Sequence, residues 1–276
     1  MTSVSMRRLA VNILLLWLVA GLAGLVWWQL QQKEQIAQST RLLPLSLAEV
    51  NSVVVERKQA GFETKLELKR TGEQWQVLQP QKIAANPVKV RQLFTLLDEK
   101  VESSYDSAGK DLAAYGLEPA ELTVSINGYK LVLGNTNPVS NNRYILNAGK
   151  IQLVNEAVYS LLQENWANFV ALKLVPESFN LTAVQLPESF AALPQLVSNW
   201  KNAEAIRVEA FDPQKLTPEM QSLVLKGATE TRKLTIVNLK DEIVLADLAK
   251  QLAYVLPISE AAQLFPAKTG LEPAPK

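Results

Sequence analysis

The sequence predicts an α+β protein in which a single N-terminal transmembrane helix precedes two similar antiparallel-sheet-plus-helix units. Three observations carry that expectation. A charge-free apolar run spans Leu9 to Trp28, short segments alternate apolar and polar residues between tight-turn dipeptides, and a strand-to-helix pattern at Lys150–Leu162 returns at Leu252–Leu264. The expected divisions are a cytoplasmic tip and anchor over 1–30, a juxtamembrane stalk over 31–46, a first α+β unit over 47–165, a second over 166–265 and a loose tail over 266–276.

The run Leu9–Trp28 holds twenty residues with one polar side chain, Asn12. A helix of that length rises roughly 30 Å, the thickness of bilayer hydrocarbon. Leu9, Leu14, Leu15, Leu16 and Trp17 supply apolar surface, Gly21 and Gly24 offer a close-packing face, and Trp27 and Trp28 suit the far headgroup layer. Arg7 and Arg8 precede the run, and no acidic residue occurs before Glu34. That bias keeps the N-terminus inside and sends the rest across, into the periplasm of a bacterial inner membrane. Three other readings are weaker, and one of them, an inverted topology with a cytoplasmic domain, contradicts the Arg7/Arg8 bias. Gly21-Leu22-Ala23 could serve as a signal-peptide cleavage site, but cutting there leaves Leu25-Val26-Trp27-Trp28 at a new terminus. A buried core helix would carry one apolar stripe, whereas these residues cover every face.

After the polar stretch Gln29–Ser46, Val50, Val53 and Val55 open a strand pattern. Phe62–Lys69 then alternates, Thr71-Gly72 turns, and Trp75–Leu78 alternates again, giving a three-stranded meander. Asn86 is a helix cap and Pro87 a first helical residue, followed by the apolar stripe Val90, Leu93, Phe94, Leu96, Leu97. Asp111–Pro119 reads as a short helix stopped at Gly116. Asn127-Gly128 joins Leu122–Ile126 to Lys130–Leu133 as a hairpin, and Ala148-Gly149 joins Tyr144–Asn147 to Ile151–Val154. Glu156–Leu162 closes the first unit as a helix. The second unit echoes it through Leu252–Leu264, where Ser259 stands for the capping Asn155, and through Leu234–Leu239, which resembles Leu122–Ile126.

Composition excludes several function classes. Residues 31–276 carry 26 basic and 27 acidic side chains, leaving no basic excess for nucleic acid. There is no cysteine and no histidine. Histidine-dependent triads, thiolate zinc sites and two-histidine metalloprotease motifs are therefore impossible. No glycine-rich phosphate loop is present, and no cofactor or small-molecule substrate is predicted.

The string Asp111-Leu112-Ala113-Ala114-Tyr115-Gly116-Leu117-Glu118-Pro119 is the most specific motif in the chain. Together with Trp75 before Pro80, the Val90/Leu93/Leu97 helix, Val132-Leu133-Gly134 and Tyr144, it resembles the family catalogued as domain of unknown function 4340. The resemblance is clearest over about residues 47–165. Asn86 departs from it, standing where the family often has an acidic residue, although Asn keeps the capping role. The resemblance implies a membrane-tethered extracytoplasmic α+β protein, and some relatives are similar to components encoded beside gliding-motility-type ABC transporters. It carries over no catalytic residue.

Candidate sites are few. A histidine-free enzyme could pair Ser107 with Lys110, or Ser198 with Lys201, and Ser125-Ile126-Asn127 and Lys268-Thr269-Gly270 resemble the other elements of penicillin-binding enzymes. Context argues against the match, because Ser107 sits in a polar, glycine-containing stretch and the Lys-Thr-Gly triplet lies among prolines. Asp98-Glu99 and Asp241-Glu242 read as solvated pairs, not as glycosidase or metal carboxylates. Trp75 and Tyr115 read as core residues. The loop Gly134–Asn142 is the best surface for a partner, with Asn135, Asn137, Asn141, Asn142 and Arg143 as candidate contacts. The expected partners are the lipid bilayer and an inner-membrane protein complex. The leading expectation is a non-enzymatic accessory or scaffold subunit; a Ser/Lys envelope hydrolase or a glycan- or lipid-binding module is the alternative.

Overall fold

The computed structural model describes residues 17–27, 41–59 and 62–268. Most of the expected anchor, including Leu9, Leu14, Leu15, Leu16, Trp28, Arg7 and Arg8, lies outside the described residues, as do Thr269 and Gly270. Residues 17–27 form a continuous helix. Among the described residues, no helix is long and apolar enough to cross a membrane.

Two antiparallel sheets organise the body. The first contains β1 (Ser52–Gln59), β2 (Phe62–Thr71), β3 (Gln74–Gln79), β4 (Ile83–Ala84), β5 (Ser103–Asp106), β6 (Leu122–Ile126), β7 (Tyr129–Thr136), β8 (Asn142–Asn147) and β9 (Lys150–Asn155). Their spatial order is β4-β3-β2-β1-β6-β7-β8-β9-β5. The second contains β10 (Ala183–Gln185), β11 (Arg207–Ala210), β12 (Ser222–Lys226), β13 (Thr231–Asn238), β14 (Glu242–Asp247) and β15 (Leu252–Pro257), ordered β10-β12-β13-β14-β15-β11. Five short α-helices accompany them: α1 (Pro87–Leu93), α2 (Thr95–Asp98), α3 (Ala157–Leu162), α4 (Leu196–Asn202) and α5 (Ala261–Leu264).

The two sheets share one topology. Setting β2, β3 and β4 aside, the order β1-β6-β7-β8-β9-β5 matches the order β10-β12-β13-β14-β15-β11 strand for strand in chain sequence, and the pairings are antiparallel in both. Helices α1 and α2 precede β5 as α4 precedes β11, and α3 follows β9 as α5 follows β15. The echo between Lys150–Leu162 and Leu252–Leu264 therefore joins equivalent elements. The second echo is displaced by one strand: Leu234 lies in β13, the counterpart of β7, while the counterpart of β6 is β12. Adjacent strands of a meander share the period-two pattern, so composition alone cannot tell them apart.

Local chemistry explains the elements. Asn86 caps α1, its Oδ1 accepting from Val88 N at 3.0 Å and Lys89 N at 3.4 Å. The helical stripe breaks at Phe94 into α1 and α2, yet Val90, Leu93, Leu96 and Leu97 are all buried against the first sheet. Asn127 and Gly128 both take positive φ, as do Ala148 and Gly149, matching the hairpin turns read from sequence. The second core centres on fully buried Trp200, whose Nε1 donates to Leu264 O at 3.2 Å. Residues 41–46, grouped with the stalk by sequence, belong instead to the first unit. Leu42 and Leu43 are buried in its core, Leu42 N donates to Glu99 O, and Asn147 Nδ2 donates to Leu42 O.

Each sheet has its outer face covered by an Asp-capped turn. Asp111 Oδ1 accepts from Ala113 N at 3.1 Å, laying Leu112, Tyr115 and Leu117 against Val132, Tyr144 and Ile151. Asp212 Oδ1 accepts from Gln214 N at 2.9 Å, and Phe211 and Leu216 cover Ala246 and Ala253. The family-like string thus does structural work. Gly116 turns it with φ +69°, and Gly134 lets it close onto β7, because a Cβ there would collide with the Tyr115 carbonyl and meet Leu117 Cδ2 at 2.9 Å.

A strap joins the units. Asn86 N donates to Phe169 O at 2.7 Å and Ala171 N to Ala84 O at 2.9 Å, fixing the strap to the end of β4. Ala205 N donates to Leu172 O at 2.8 Å and Leu174 N to Ala203 O at 3.2 Å, fixing it to the second unit. Ile83 and Trp166 pack against both cores.

Gly134→Ala is expected to cost about 1–3 kcal/mol by overpacking against a backbone carbonyl that cannot step aside. Chemical denaturation of the variant beside the parent checks this; an unchanged midpoint contradicts the close-approach account.

Candidate functional site

The loop between β7 and β8 is built by its own asparagines. Asn137 N donates to Asn142 O at 2.7 Å and Asn141 N to Asn137 O at 2.9 Å. Asn137 Oδ1 accepts from Val139 N at 2.8 Å and Ser140 N at 3.3 Å, while its Nδ2 donates to Tyr144 Oη at 2.7 Å. Asn141 takes φ +56°, a left-handed conformation that Asn tolerates. Of the predicted contacts, Asn135 and Asn141 are exposed, while Asn137 and Asn142 are half-buried. The loop's most prominent feature is Val139 at its tip, 92% exposed, which the asparagine count did not single out.

Arg143 turns inward. Its Nε donates to Glu156 Oε2 at 2.9 Å and its Nη2 to Glu156 Oε1 at 2.5 Å, a two-pronged pair. Nη1 donates to Gly134 O, and Nη2 also reaches Thr136 Oγ1 at 3.1 Å. The guanidinium carbon lies 3.4 Å from the Tyr159 ring centroid. Arg143 therefore anchors the loop's base and does not present its charge at the surface. The alternation within β8 carries the signal for this, since Arg143 is in phase with buried Ile145.

The serine candidates are spread apart. Ser107 donates both its Oγ (2.6 Å) and its backbone N (3.0 Å) to Gly149 O, so it staples the edge of β5 to a hairpin turn. Ser198 and Lys201 lie exposed on α4, and Ser125 lies within β6. Glu242 of the acidic pair is held by Arg207, whose Nη1 and Nη2 reach its oxygens at 2.7 and 2.6 Å; these hydrogen bonds lower its pKa. Asp98 faces solvent beside Arg41 at 3.6 Å. Trp75 packs at 5.5 Å against Phe94, and Tyr115 meets Tyr144 edge-on at 4.9 Å, both at core margins.

The second unit contains a cluster that motif reading missed. Arg232 Nε donates to Asp247 Oδ2 at 2.6 Å, with side chains only 10% and 2% exposed. Arg232 Nη1 donates to Leu174 O of the strap at 2.6 Å, and its guanidinium carbon lies 5.0 Å from the Tyr254 ring centroid. Asp247 Oδ1 accepts from Lys250 N at 3.2 Å. Burial alone would lower the Arg232 pKa, but Tyr254 and Asp247 outweigh it and leave the pKa raised; burial pushes the Tyr254 phenol up. Strand phase held the clue. Arg232 falls in register with Leu234 and Ile236, and Asp247 with Ile243 and Leu245, so two opposite charges occupy core-facing positions of neighbouring strands.

The family described as Domain of unknown function (DUF4340) matches residues 75–255, from β3 of the first unit to β15 of the second. The chain belongs to this family. Neither a curated protein nor a solved structure matches it. The match runs from β3 through the strap to β15, so it takes in part of the first sheet and all but the last residues of the second, while β1 and β2 precede it.

Arg232→Leu is expected to destabilise the protein by about 3–5 kcal/mol, because Asp247 is left charged and buried. The double variant Arg232→Leu/Asp247→Leu should recover much of that loss. Denaturation midpoints across the four-member cycle test this, and additive losses would contradict a coupled pair.

Proposed function

We propose that this protein is a membrane-tethered extracytoplasmic accessory subunit, non-enzymatic, that serves an inner-membrane assembly for ABC-type transport or envelope export. The observation that carries the reading is the helix at residues 17–27. Trp17, Leu18, Val19, Leu22, Leu25, Val26 and Trp27 are each 53–76% exposed, and a Cβ at Gly21 or Gly24 would meet nothing within 4 Å. Apolar surface gains about 25 cal/mol per Å² on leaving water, so a helix bare on all faces calls for lipid or another apolar helix. It is part of the twenty-residue run Leu9–Trp28, and Arg7 and Arg8 in front of that run favour a cytoplasmic N-terminus. Gly21 and Gly24 suit docking against a transmembrane partner.

The body supports the same reading. Two equivalent units held by one strap offer a rigid extracytoplasmic platform, and Val139 stands at the tip of a loop whose backbone is fixed from within. The hydrolase alternative lacks such support: the Ser107 hydroxyl is committed to the Gly149 carbonyl, not poised beside a base.

Alkaline phosphatase fused after Lys276 should be active and green fluorescent protein at the same place dark. Purification of the full chain in mild detergent should retain an integral membrane partner that Gly21→Leu/Gly24→Leu releases. Bright fluorescence of the carboxy-terminal fusion, or retention of the partner by a chain lacking residues 1–30, contradicts the proposal.

A further inference from the structure

A cleft of about 510 Å³ opens beside the Arg232–Asp247 pair, between the turn that joins β14 to β15 and the end of the strap. That volume falls within the range of small-molecule sites, roughly 300–1,000 Å³. Its lining combines cationic groups from Arg232, Lys233 and Lys250 with apolar surface from Pro176, Phe179 and Leu248. Asp247 is already spent on Arg232, so Glu230 is the one carboxylate of the lining left to oppose the two lysines. Neither lysine has an ion-pair partner among the described residues.

Arg232 supplies the observation that points to a ligand. Three constraints hold its guanidinium: Asp247 on Nε, Leu174 O on Nη1 and the Tyr254 ring. Its Nη2 is buried with no well-aligned hydrogen-bond partner among the described residues, although the nearby Tyr254 phenol also favours the charged guanidinium. Buried donors are rarely left orphaned, and a charged one asks for an acceptor. The rim is pre-set as well. Lys250 N is held by Asp247, and Lys250 O accepts from Gln81 Nε2 of the first unit at 2.5 Å. Burial, and then Arg232, lower the pKa of the Lys250 ammonium, a tension that a bound anion would relieve.

We propose that this cleft binds a small organic anion, a carboxylate or phosphate head on a compact apolar body. Arg232 and Lys250 meet the head, with Lys233 at the margin, and Pro176, Phe179 and Leu248 receive the body. The site does not depend on the accessory-subunit reading and stands or falls on its own binding.

The test titrates naphthoate, and in a second arm naphthyl phosphate, into the full chain held in zwitterionic nanodiscs, read by probe fluorescence. One saturable site per chain is expected, and the tighter arm assigns the head as carboxylate or phosphate. Lys233→Gln/Lys250→Gln should weaken binding by about tenfold or more without lowering the melting temperature, and uncharged naphthalenemethanol should bind weaker by a similar factor. No saturation below about 1 mM, equal binding by the alcohol, or equal binding by the lysine variant overturns the proposal.

Discussion

The backbone between Trp166 and Pro176 is hydrogen-bonded on both sides, and the arrangement of the whole body depends on it. A strap in that position must satisfy its amides and carbonyls or bear the cost of burying them bare. It does so by giving Phe169 O and Ala171 N to the end of β4, and Leu172 O and Leu174 N to residues 203–205. Side chains repeat the pattern. Arg57 of the first sheet donates to Leu162 O and Glu164 O at 2.6 and 2.7 Å, in the segment that leads into the strap, and Arg232 of the second donates to Leu174 O within it. Lys89 reaches Glu164 at 2.7 Å. The strap is thereby a shared element of both units.

The difference between the two sheets shows where that seam comes from. Six strands of each sheet correspond one to one, and the elements without a counterpart are β2, β3 and β4. Those extra strands build the contact: Ile83 of β4 packs into both cores, Ala84 and Asn86 hold the strap, and Gln81 crosses to Lys250. What breaks the equivalence of the two units is what joins them. The same junction places Leu174 and Pro176 beside Arg232, so the cleft forms where strap and second sheet meet.

Much of this was legible in the chain, for identifiable reasons. Period-two alternation marked β2, β3 and β6 to β9, and Asn127-Gly128 and Ala148-Gly149 fixed their turns through a local conformational need. Asn86-Pro87 announced α1 for the same reason. The second unit was harder to read. Its edge strands β10 and β11 have three and four residues, too short for a period to register, and β5 hid in a polar stretch because Ser103, Ser104 and Asp106 are all exposed and only Tyr105 is covered. Leu42 and Leu43 looked like stalk because burial there comes from distant partners, Glu99 and Asn147. Among the site residues, asparagine density located the β7–β8 loop but misjudged what it holds. Arg143 followed strand phase inward, and the asparagines proved occupied with their own backbone. Arg232 and Asp247 escaped notice because opposite charges on two strands look unrelated until the fold lays those strands side by side.

The central claim is that two repeats joined by a doubly bonded strap behave as one cooperative body. Native-state hydrogen exchange across a denaturant series tests it most directly, comparing amides of β6–β7 with those of β13–β15 in the full chain. The account predicts that both sets merge into one opening with the same denaturant dependence. Loss of protection in the second sheet while the first stays protected, or the reverse, would contradict it.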